Sequence, residues 1–128
     1  MKSVPAAALA LVLSLIACAS FASESPFNQA AFESERASGK PVAVVFHADW
    51  CPTCRAQAPV LQELMQAPEF KGVTLFVANF DTDKALKRSL GVTQQSTIVV
   101  FKDGKESARS TGDTQHERLA ALLRHAIS

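Results

Sequence analysis

Residues 42–59 read VAVVFHADWCPTCRAQAP: an apolar run, a short polar turn, then two cysteines two residues apart. The run VAVVFHA is nearly continuous and rich in valine, which predicts a strand buried on both faces. From Arg55 onward RAQAPVLQELMQAPEF carries Val60, Leu61, Leu64 and Met65 at helical spacing, so the cysteines sit where a strand hands over to a helix. Pro52 falls in the first helical turn, where its missing N–H costs nothing, and Pro59 falls inside the helix, where it should bend it. Three readings of the pair are open: a redox couple, half of a metal site, or two buried thiols without chemistry.

Outward from this stretch the chain alternates. Ser25-Pro26 reads as an N-cap and first helical residue, opening a helix with Phe27, Ala30 and Ala31 on one face and ending at Gly39. VTLFVANF is a second buried strand. DTDKALKRSLG is a short helix capped by Asp81 or Thr82 and closed by Gly91, and STIVVFKDGKESARS is a hairpin turning at Asp103-Gly104. Thr114 and Glu117 form a capping box before a last helix that carries Leu119, Leu122, Leu123 and Ile127. Strands separated by helices pair in parallel and the hairpin adds an antiparallel part. The expected fold class is α/β, a mixed sheet of about four strands flanked by helices.

The chain has 128 residues, 48% of them apolar, enough for one domain with one core. Its net charge of +1, with acids and bases interspersed, offers no surface for nucleic acid. The opening MKSVPAAALALVLSLIACASFAS has the layout of an export signal: Lys2, then an apolar run from Val4 to Ala17 too short to span a bilayer. Ser20-Phe21-Ala22 fits cleavage after Ala22, giving a signal peptide over 1–22 and a domain over 23–128. Leu15-Ile16-Ala17-Cys18 also resembles a lipobox, in which Cys18 becomes a lipidated first residue and tethers the protein to a membrane. Either cut removes Lys2 and leaves 12 basic and 12 acidic residues. The expected location is the periplasm or another exported compartment, where paired cysteines are usually oxidised.

A bridge across a two-residue gap restricts the unfolded chain very little, so a stabilising role is the weaker explanation of the pair. At a helix N-terminus the free amides and the dipole favour a thiolate at Cys51, while Cys54, one turn in, is placed to attack a mixed disulfide there. A zinc site would need two further ligands, and only His47, His116 and His125 are on offer as histidines. The last two have polar neighbours that suggest plain solvation. No metal or other cofactor is expected beyond the redox-active disulfide.

The motifs VAVVFHADWCPTCRAQAP, FDTDKALKRSLGV, STIVVFKDGKE and Gly112 resemble the thioredoxin superfamily over residues 27 to 127. That resemblance implies a thioredoxin fold and thiol–disulfide exchange with protein substrates through Cys51 and Cys54. It places Trp50, Pro52, Thr53 and Gln95 around the sulfurs. WCPTCRA is similar to the exported, reducing thioredoxins of cytochrome c maturation, which implies electrons from a membrane thiol-electron transporter. Disulfide oxidation or isomerisation, and a low-activity binding or chaperone module, are the alternatives on the same fold. The family's leading strand should be missing, for want of chain before Phe27.

Three positions depart from the family pattern. Its buried Asp, six residues before the first cysteine, is Val45, and the lysine partner is Val77. Losing both together is consistent, because a lone buried charge is costly. No internal carboxylate then serves the Cys54 proton. His47, where the family has an aromatic, could do so by bonding Asp81, or could simply fill the slot. The family's cis-proline is Ser96, and since a cis bond before serine costs about 2.5–4 kcal/mol, a trans bond and a rearranged loop at Gln95-Ser96 are expected.

Overall fold

The computed structural model describes residues 23–128 together with Ser3; the leader-like segment, including Cys18 and both cleavage patterns, lies outside the described residues. The elements run β1 (Ser23–Pro26), α1 (Gln29–Ala37), β2 (Val42–His47), α2 (Pro52–Leu64), a 3₁₀ turn (Pro68–Phe70), β3 (Thr74–Asn79), α3 (Lys84–Leu90), β4 (Thr97–Lys102), β5 (Lys105–Thr111) and α4 (His116–Arg124). They build one mixed sheet in the order β1-β3-β2-β4-β5. The first three strands are parallel and the last two antiparallel.

Strand β2 lies at the centre because both of its faces are apolar, and its period of two divides the core. Val42, Val44 and Phe46 join Phe32, Phe76, Leu86 and Phe101 on the side of α1 and α3. Ala43 and Val45 join Leu61, Leu64, Ile98, Leu119 and Leu123 on the side of α2 and α4. Phe32 anchors the first side, its ring 5.9 Å from Phe76 and 5.4 Å from Phe101 in edge-on packing. The hairpin turns at Asp103 and Gly104, both at positive φ (52° and 79°), as its Asp-Gly pair predicts. Its Gly104 carbonyl accepts a hydrogen bond from Arg36 at 3.0 Å, and the guanidinium lies 4.3 Å over the Phe101 ring.

The sheet has five strands rather than about four. Ser25 and Pro26 belong to β1, paired with β3 in the register Ser25↔Phe76 and Pro26↔Val77, so the leading strand is present. A four-residue edge strand tolerates proline, whose missing N–H breaks nothing in the interior of a sheet. The helix begins later, with Asn28 as its N-cap accepting from the Ala31 amide at 2.9 Å, and Phe32 rather than Ala30 carries the buried face. Likewise α3 opens at Asp83 and not at Asp81 or Thr82, while Gly91 closes it at φ 64° as expected. The last helix opens at Gln115 without a side-chain cap, so the Thr114–Glu117 box does not form. Helix α2 runs through Pro59 but stops at Leu64, and Pro68–Phe70 form a separate turn.

Candidate active site

Where β2 ends, the Ala48–Cys51 turn closes with the Cys51 amide donating to the Ala48 carbonyl at 3.1 Å, and Cys51 becomes the N-cap of α2. Pro52 then occupies the first helical turn. Cys51 is 4% exposed and Cys54, one turn deeper, is fully buried; both are free thiols packed with Ala48 and Phe80. Trp50, 59% exposed, stands beside them and donates its indole N–H to Asp81 Oδ2 at 2.9 Å. The proposed His47–Asp81 bond is therefore not formed. Asp81 is taken by Trp50, and His47 Nε2 pairs instead with Asp49 Oδ1 at 2.8 Å, two residues away in its own turn.

Ser96 faces the dithiol from the loop before β4. No described peptide bond is cis, and Ser96 adopts φ 62°, the rearranged trans geometry expected of a serine at this point. Three hydrogen bonds hold it there: its amide to the Phe46 carbonyl (2.8 Å), and its carbonyl from the Gly112 amide (3.1 Å) and from Gln57 Nε2 (3.3 Å). Its hydroxyl lies 2.8 Å from Cys54 Sγ and 3.8 Å from Cys51 Sγ. Thr53, Gln94, Gln95, Ser96, Thr111 and Gly112 line a cleft of about 330 Å³ at Cys51.

Sequence reasoning missed Gln57, which is 1% exposed and ties the Ser96 loop to the Asp113 carbonyl (2.9 Å) as well. Its spacing from Cys54 and Leu61, three and four residues, put it on the buried face of α2 and was a readable signal. The remaining histidines do not gather at the dithiol: His116 pairs with Glu117 at 3.2 Å, and His125 is exposed after α4. Among the described residues no group of three His, Cys, Asp or Glu side chains is placed to hold a metal ion.

The Cys51 thiol is lowered from an ordinary 9.0 to about 7. The Cys54 backbone amide at the first helical turn acts most strongly; burial opposes it, and hydrogen bonding from the Cys54, Ser96 and Gln95 side chains assists. Attack by thiolate on a disulfide at neutral pH follows directly. Because the folded value lies below the unfolded one, this thiolate stabilises the reduced protein fully above pH 9.0 and the gain is lost as pH falls through about 7. Alkylation of Cys51 by iodoacetamide, read by peptide mass spectrometry, should rise with a midpoint of about pH 7. A midpoint near 9 would show that the helix amides do not act on this sulfur.

The family model for thioredoxin matches residues 23–125. The chain belongs to the thioredoxin family. It is 36% identical to the thioredoxin of Chlamydia muridarum over 96 residues, 75% of this chain and 91% of that protein. It is 35% identical to that of Haemophilus influenzae over 102 residues, 78% and 94% of the two chains. The crystal structure of Trxlp from Edwardsiella tarda superposes with a TM-score of 0.77 at 40% identity, over 79% of this chain and 98% of that one. As a thioredoxin-family thiol–disulfide oxidoreductase the protein works through its own dithiol on protein thiols and disulfides. Within that family frame, Val45 and Val77 are register partners across β2 and β3, so the missing charge pair is replaced by one apolar contact.

Proposed function

We propose that this protein is an exported thioredoxin-type reductase of protein disulfides, recharged by a membrane thiol-electron transporter. The observation that carries the direction is the moderate lowering of Cys51, to about 7. Thiolate stabilisation favours the reduced form, so strongly oxidising relatives of this chemistry hold the attacking cysteine near about 3.5 and reducing ones near about 7. The WCPTCRA resemblance supports the same direction. Export rests on the leader-like residues 1–22, with Cys18 as the point of lipid attachment if the lipobox is the one used.

In this reading Cys51 attacks a substrate disulfide, Cys54 resolves the mixed disulfide, and the protein leaves oxidised. A reductase in an oxidising compartment needs a steady supply of electrons, which is why a transporter partner is part of the proposal. Cell fractionation followed by acid trapping and a thiol-reactive mass tag tests it. Cys51 and Cys54 should be recovered mostly reduced in the exported fraction. Full oxidation there would reverse the assigned direction, and recovery in the cytoplasm of a chain retaining Lys2 would remove export.

A further inference from the structure

Dithiol exchange leaves one proton unaccounted for. Cys54 must shed it to attack, yet the sulfur is fully buried, and Val45 stands where the family has its internal carboxylate. The surroundings offer little else. Cys54 packs with Ala48, Cys51 and Phe80, and Lys87 lies over the Phe80 ring, 3.9 Å from its centroid. Of the two polar contacts, the Phe46 carbonyl at 4.0 Å can accept a proton's hydrogen bond but cannot pass a proton on. The Ser96 hydroxyl, at 2.8 Å, both accepts and donates.

We propose that the Ser96 hydroxyl is a catalytic residue that carries the proton of the resolving thiol. As Cys54 Sγ attacks, its proton passes to Ser96 Oγ, and the Ser96 proton passes to the departing substrate sulfur. The Cys51–Cys54 disulfide forms and the bond from Cys51 to the substrate sulfur breaks. Its electron pair leaves on that sulfur, which is released as a thiol. Serine ends unchanged, and the substrate disulfide is the sole oxidant. The geometry suits the task, because Oγ also lies 3.8 Å from Cys51 Sγ, the atom to which the leaving sulfur is bonded. The backbone bonds from Phe46, Gly112 and Gln57 hold Ser96 at φ 62° and so fix the aim of the hydroxyl. A proline in its place would have no proton to give.

This inference rests on the exchange reading, and the test separates the two. Reduced protein is mixed with glutathione disulfide, quenched in acid at intervals, and weighed by mass spectrometry, which resolves the Cys51 adduct from the internal disulfide. In Ser96→Gly, which suits the positive φ, and in Ser96→Ala, the adduct should accumulate, with resolution slowed by about 10²-fold at pH 7. The deficit should close towards pH 10, where hydroxide replaces the missing relay. Wild-type resolution rates in both variants would overturn the proposal. So would a deficit unchanged at pH 10, which marks a purely structural role. If wild-type protein forms neither adduct nor internal disulfide, the exchange reading itself fails.

Discussion

Cys51→Ser should reduce disulfide exchange to background, a loss on the order of 10³-fold or more, since the nucleophile is the reaction. Cys54→Ser should behave differently. The Cys51 thiolate survives at the N-terminus of α2, so the variant attacks one substrate and remains attached to it. Insulin reduction reads the first effect, and non-reducing electrophoresis of a cell extract reads the second as covalent adducts. The asymmetry comes from burial and backbone position: Cys51 is the helix cap at the cleft, whereas Cys54 faces the interior and meets substrate only through Cys51. Covalent adducts as abundant with Cys51→Ser as with Cys54→Ser would contradict these assignments.

Val45→Asp should destabilise the fold by about 3–5 kcal/mol at pH 7, the range for a buried charge without its partner. Val45 is 3% exposed in the core beneath α2 and α4, against Leu61, Leu64 and Ile98, with Val77 as its neighbour across the register. The sign with pH follows from burial, which raises the folded carboxyl above its unfolded value of about 3.9. Between those two values the native state binds more protons, so stability falls as pH rises and the deficit is smallest near pH 4. Adding Val77→Lys should recover most of the loss, because Val77 is only half-buried and a lysine there can reach both the carboxylate and solvent. Urea melts of the three proteins at pH 4 and 7 measure this. A single variant as stable as wild type at pH 7 would show that the site admits water or relaxes around the charge.

Much of the fold was legible because its signals are local. The valine run of β2, Pro52 at the start of α2, Gly91 at the end of α3 and Asp103-Gly104 in the hairpin each act within a few residues. What was missed depends on partners distant in sequence. SESP has no apolar pattern and becomes a strand only because the edge of β3 is free to pair with it. The helical spacing of Gln57 marks a buried position, but the Ser96 and Asp113 carbonyls that satisfy it lie 39 and 56 residues away in the chain. The choice of partner for Asp81 was decided in the same way, by the reach of Trp50 across the site rather than by His47.

The sequence by itself determined the dithiol, its place at a strand-to-helix junction, the paired loss of charge at Val45 and Val77, and the need for a different loop at Ser96. Those are statements about residue type and short-range geometry. Only the tertiary structure decided where the Ser96 hydroxyl points. Its direction is set by a left-handed backbone held by β2, α2 and Gly112, segments up to 50 residues away in the chain. A side chain can be read from sequence, but its aim belongs to whatever clamps its backbone.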